Sequence, residues 1–119
     1  MNTKYDLKDR TFNFSLGIVK FCTLVSKNPE VKELSRQLLR SGTSVGANVE
    51  EADGSRTRKE FANKMTIARN EAREAAFWLR LILGSELLHN KLNIDKAKYL
   101  LLESEELRKI LSSIIGKIN

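Results

Sequence analysis

The sequence predicts an all-α protein, an antiparallel up-down-up-down bundle of four helices forming a single domain over residues 1–119. Apolar residues recur at steps of three, four and seven along most of the chain, the spacing of one helix face. Proline occurs once and glycine six times in 119 residues, too few for the turns that an all-β chain places every ~8–12 residues. The breaks between periodic stretches are short and polar, and short connections between long helices make neighbours antiparallel.

The first helix is read over residues 6–26 and is closed by Asn28-Pro29, because a residue before proline avoids the helical region. The second covers residues 30–52, with Glu30 and Glu33 near the positive end of its dipole, and stops at Asp53-Gly54-Ser55. Its stripe is Val31, Leu34, Leu38, Val45, Val49 and Ala52. The third covers residues 58–88; Thr57 and Glu60 are spaced as a capping box, and Gly84 weakens its end. Its stripe is Phe61, Met65, Ala68, Ala72, Leu79 and Leu83. Asn93 or Asp95 opens the fourth, over residues 95–118, with Leu100, Leu107, Leu111, Ile114 and Ile118 on one face.

The first helix carries two stripes. Leu7, Phe14, Ile18, Phe21 and Val25 make one; Phe12, Leu16 and Val19 make another, roughly half a turn away at ~100° per residue. A bundle helix buries one side, so the second stripe is either a wide core margin or a contact with another copy. We take it as a subunit interface, which predicts a homo-oligomer.

The second helix contains Arg40-Ser41-Gly42-Thr43-Ser44-Val45-Gly46-Ala47-Asn48-Val49-Glu50-Glu51-Ala52. Gly42 and Gly46 inside a helix each cost about 1 kcal/mol relative to alanine. Their spacing suits close approach of another backbone or a bend; a ligand groove is the alternative. No lysine followed by serine or threonine stands where a phosphate loop needs one.

This segment, followed by Phe61 and by Ile67-Ala68-Arg69-Asn70-Glu71-Ala72-Arg73-Glu74-Ala75-Ala76-Phe77-Trp78-Leu79-Arg80-Leu81, resembles the four-helix-bundle family named for the 23S rRNA intervening-sequence protein. The resemblance runs from about residue 6 into the last helix. Many members have proline at the position of Gly46 and glycine at that of Glu51. The resemblance implies a basic homopentameric ring. It also extends to the accessory variability protein of diversity-generating retroelements, which partners a reverse transcriptase and binds nucleic acid.

Apart from any relative, the third helix sorts into faces. Arg58, Arg69, Arg73 and Arg80 fall within about 60° of one another, with Ala62 and Ala76 on the same strip. At ~1.5 Å per residue they span more than 30 Å. Two readings stand: a track for a phosphate backbone, supported by Lys59 and Lys64, or a solvated face with local pairs. The opposite side carries Glu60, Ile67, Glu71, Glu74 and Trp78. If the second and third helices fold back about Ser55-Arg56, Arg40 lies level with Glu71 and should pair with it. Ile67 and Trp78 join Phe12, Leu16 and Val19 as expected interface residues, and Arg40, Gly42, Gly46, Asn48 and Glu71 form the structural motif.

Composition narrows the function. Lysine and arginine exceed aspartate and glutamate by +6, which favours polyanionic partners. One cysteine, Cys22, allows no internal disulfide and reads as a small buried hydrophobe. One histidine, His89, leaves no metal set; Glu71 and Glu74 lack the Glu-x-x-His partner of di-iron bundles. No nucleophile triad or spaced carboxylate pair is present, so no catalytic residue, cofactor or metal is expected. The first six residues show no apolar leader core, and no apolar run would span a bilayer, which predicts a cytoplasmic protein with no membrane partner. The reading is a small basic, non-enzymatic homo-oligomer that binds RNA or DNA through phosphate contacts. The alternative is a protein-interaction scaffold, or an accessory subunit for a nucleic-acid enzyme such as a reverse transcriptase.

Overall fold

A computed structural model describes the backbone of residues 3–118 and the side chains of residues 7–118. The expectation drawn from residues 1–6, that no leader precedes the domain, lies outside those side chains. Four helices follow one another: α1 (Thr3–Val25), α2 (Pro29–Asp53), α3 (Arg58–Gly84) and α4 (Lys91–Ile118). Each packs on its sequence neighbours, and α4 returns to α1, closing a four-sided bundle. No strand occurs among the described residues. The long axis is 45 Å, as expected for helices of this length at ~1.5 Å per residue.

Local chemistry sets the boundaries. Asn28 caps α2 by accepting from the Glu30 amide at 2.9 Å, and the helix begins on Pro29 itself, where a missing N–H costs nothing. Glu33 is engaged by Arg36 at 2.6 Å instead of facing the dipole. Thr57 caps α3 by accepting from Glu60 N–H at 3.0 Å, while Glu60 reaches back one residue further than a standard box, to the Arg56 amide at 3.1 Å.

The far end of α3 corrects the sequence reading. The helix stops at Gly84, four residues before Leu88. Ser85 caps it, and Glu86 takes a left-handed φ of 57° that turns the chain. Leu87 and Leu88 still pack on the core, but from a loop, so their apolar character mimicked one more helical turn. Asn28 donates to the Leu87 carbonyl at 3.4 Å and ties this loop to the α1–α2 turn. α4 then starts at Lys91 rather than at residue 95, because the Asn90 side chain accepts from the Leu92 and Asn93 amides at 2.8 and 3.2 Å.

Most of the predicted stripes form the core, but Leu34, Phe61, Leu83, Ile114 and Ile118 are only partly buried, and Ile115 rather than Ile114 is the buried isoleucine near the end of α4. Phe14, Ile18, Phe21, Val25, Val31, Leu38, Val45, Met65, Leu79, Leu107 and Leu111 are all buried. Ala68, Ala72, Ala75 and Ala76 are buried along α3, which lets that helix sit close to both neighbours. Helices α1 and α4 touch least. Their seam is held by a two-pronged pair, Arg10 Nε and Nη2 to Glu103 at 2.7 Å each.

Helix α2 meets α1 through its glycines. A Cβ on Gly42 would stand 2.7 Å from both Cγ atoms of Ile18, and one on Gly46 would stand 2.6 Å from Ser15 Oγ. The Ser15 hydroxyl donates to the Gly42 carbonyl at 2.9 Å and accepts from the Gly46 N–H at 3.1 Å. Those two groups are the i and i+4 partners of one helical hydrogen bond, so a side chain from α1 is spliced into the α2 ladder. Of the two readings of the motif, close backbone approach is the one present. Asn48 serves α2 itself, donating to the Ser44 carbonyl at 2.8 Å.

Candidate nucleic-acid interface

The arginine strip lies along one side of α3. Arg58, Arg73 and Arg80 are exposed and Arg69 is half-exposed. Among the described residues none of the four has a carboxylate within ion-pair distance; Arg69 makes only side-chain contacts to Asn70 Oδ1 at 3.3 Å. Elsewhere, Lys8, Arg10, Arg36, Arg40, Lys64 and Lys91 are paired with carboxylates. The local ion pairs of the alternative reading are therefore not formed within the described residues, and the strip keeps its charge. Ala76 is buried, so the strip borders the core seam rather than standing clear of it.

Lys59 is exposed beside Arg58 and extends the strip. Lys64 does not. Six residues from Arg58, it lies about 240° around the helix at ~100° per residue, and its ammonium is taken by Glu51 of α2 at 3.3 Å. It is a strut between helices and leaves the proposed phosphate set.

The other side of α3 carries a polar network. Arg40 reaches Glu71 at 3.0 Å, as the antiparallel register predicts. It also binds Glu74, a second partner that the register argument did not name. Glu74 in turn accepts from the indole N–H of Trp78 at 3.0 Å. That hydrogen bond and the Arg40 guanidinium hold the Glu74 carboxyl below the usual carboxylate range. A group so lowered contributes stability that is present above its unfolded pKa and is lost as pH falls through the folded one. Trp78 is the only tryptophan, so an acid titration of its emission should show a step below the ordinary glutamate range of about 4.3. Glu74→Gln should remove that step; a step that survives the substitution would assign it elsewhere.

Apolar surface lies in separate places. Phe12 is 57% exposed, Leu16 39% and Val19 40%, so the second stripe of α1 is uncovered within the monomer. Leu39 of α2 meets Val19 on the same side, in a shallow recess that also reaches Cys22. On α3, Ile67, Phe77 and Leu81 are exposed, while Trp78 is half-buried against the core. The sequence reading missed Leu39 and Phe77; the i, i+4 spacing of Phe77 from Arg73 was the available signal.

Other features offer little chemistry. Burial pushes the Cys22 thiol up to about 12, and its S–H points to the Ser35 carbonyl at 3.3 Å, so it is an unreactive core group. An apolar cavity of about 460 Å³, lined by Leu7, Val49, Phe61, Met65, Ile110 and Ile114, opens at one end of the bundle. Two lysines line it as well, Lys117 and Lys8, the latter bonded to Asp53 at 3.2 Å. Among the described residues no three His, Cys, Asp or Glu side chains gather to hold a metal, and no helix is long and apolar enough to cross a membrane.

Comparison with known proteins agrees with this architecture. A family model described as "23S rRNA-intervening sequence protein" matches residues 3–113. A crystal structure of a protein with unknown function from the S23 ribosomal protein family, from Bacteroides thetaiotaomicron, superposes with a TM-score of 0.82 at 35% identity, covering 92% of this chain and 97% of that one. A search of curated proteins finds no match.

Proposed function

Because this chain belongs to the 23S rRNA-intervening sequence protein family, we propose that it is a non-enzymatic homo-oligomer that grips RNA or DNA through phosphate contacts from Arg58, Lys59, Arg69, Arg73 and Arg80. The observation that carries this reading is the alignment of four arginines along one side of α3, none with a carboxylate within ion-pair distance among the described residues, whereas the cations at the helix seams, Lys8, Arg10, Arg40 and Lys64, are paired. Guanidinium forks fit phosphate oxygens in pairs, and a rigid helix fixes the backbone spacing, so that only the side chains remain to be ordered at binding. The uncovered stripe of Phe12, Leu16 and Val19 supports assembly, with Ile67 and the edge of Trp78 as further contact surface. A pentamer, the assembly expected from the family resemblance, would repeat the strip five times.

The test is fluorescence anisotropy with structured RNA, single-stranded DNA and duplex DNA at salt from about 50 to 300 mM, with light-scattering mass in parallel. We expect log affinity to fall linearly with log salt, and a mass five times the 13.6 kDa of one chain. An oligomer that binds no nucleic acid at the lowest salt would overturn this reading in favour of a protein scaffold, including an accessory role beside an enzyme such as a reverse transcriptase.

A further inference from the structure

Phe77 stands at the margin of the arginine strip. Arg73 precedes it by four residues and Arg80 follows it by three, so both share its side of α3. The Arg80 guanidinium carbon lies over the ring, 5.9 Å from its centroid. The Trp78 ring meets it edge-on, with centroids 5.2 Å apart and planes at 66°. This position is built from below: Arg40 holds Glu74, Glu74 holds the Trp78 indole at 3.0 Å, and Trp78 braces Phe77. Yet 44% of Phe77 remains exposed.

A braced aromatic ring that is partly exposed beside guanidinium groups without carboxylate partners matches a ligand that is planar and apolar at one point and anionic at the next. A nucleotide unit has that chemistry. In a duplex the base faces are covered by their neighbours, so only an unpaired base can offer its face to the ring. We propose that Phe77 is a stacking platform for a base of single-stranded RNA or DNA whose phosphates follow Arg58, Arg69, Arg73 and Arg80. This rests on the phosphate-binding reading of the strip and adds a strand preference to it. Arg80 lies over one face of the ring, so the base would take the ring's exposed side, with the Arg80 charge 5.9 Å from the centroid and within reach of a neighbouring phosphate.

The test follows Trp78 emission and anisotropy of the full chain titrated with oligo(dT), oligo(U), a duplex of equal length and an abasic strand of equal length. Single strands should bind more tightly than the duplex or the abasic strand and should quench Trp78. Phe77→Ala should weaken single strands by roughly 5- to 100-fold and leave the abasic strand unchanged, while Phe77→Tyr should retain the single-strand affinity. Circular dichroism confirms that both variants are folded. Equal binding of single strands by wild type and Phe77→Ala, or equal binding of base-bearing and abasic strands, overturns the platform while the phosphate track stands. A changed light-scattering mass in Phe77→Ala with unchanged binding also overturns it, and assigns the ring to a subunit contact. Failure of every nucleic acid to bind removes the phosphate reading and the platform with it.

Discussion

Gly42→Ala is expected to destabilise the wild-type bundle and to stabilise an Ile18→Ala bundle. The added methyl would stand 2.7 Å from two carbons of Ile18, a fully buried side chain that cannot turn away. Overpacking of this kind costs ~1–3 kcal/mol, which outweighs the gain of about 1 kcal/mol from replacing a helical glycine. Ile18→Ala alone should cost ~2–5 kcal/mol, because it empties space between α1 and α2. In that background both 2.7 Å contacts are gone and only the Cβ of residue 18 stays close, at 3.1 Å, a crowding that a shift of a few tenths of an ångström into the new cavity relieves, so the helical gain prevails. Urea unfolding of the four proteins at one fixed concentration measures the cycle; the fixed concentration matters because assembly contributes to apparent stability. Equal effects of Gly42→Ala in both backgrounds would show that Ile18 is not what excludes the side chain.

The second large effect concerns binding. In the counterion-release description, each phosphate contact contributes ~0.9 decade of affinity on duplex DNA and ~0.7 on a single strand at about 0.1 M salt, so Arg69→Ala with Arg73→Ala should cost roughly 60-fold or 25-fold and flatten the salt slope by about 1.8 or 1.4 per binding site. The loss should be similar for different base sequences, since phosphate contacts carry no sequence information. Lys64→Ala is the matched control. It removes the same charge from the same helix, but from a side where Glu51 already holds it at 3.3 Å. It should leave affinity nearly unchanged. Equal losses from Lys64→Ala and from one strip arginine would mean that binding responds to net charge alone, and an unaffected double variant would remove the strip as the site.

The bundle was legible because its determinants are periodic. Stripes such as Leu100–Leu107–Leu111 repeat a helical step, and every member is buried. The Arg40–Glu71 pair followed from the antiparallel fold of α2 on α3, which needs only the position of the turn. The end of α3 was not legible, because Leu87 and Leu88 extend the apolar pattern through a loop that turns at Glu86, a residue with no compositional mark of a left-handed backbone. Ser15 gave no signal for a different reason. A serine on an otherwise apolar helix is ordinary, and its partners are backbone groups of another helix. Lys64 was grouped with the arginines by nearness in sequence, although helical geometry places it across the helix. At the candidate site the charges were readable, while the bracing of Phe77 needed three side chains from two helices to be seen together.

The unequal seams of the bundle give it a mechanical character. Three joints are stiff: α1 on α2 is locked by glycines and a spliced hydroxyl, and α3 is seated on both neighbours through alanines. The α1–α4 joint has the least packing, and its main clasp is the charged pair of Arg10 and Glu103. Under a twisting load the molecule is therefore an open spring with a single compliant edge. The other seams carry ion pairs too, Lys8 with Asp53 and Arg40 with Glu71, but they rest on more packing, so a rise in ionic strength loosens the α1–α4 edge most.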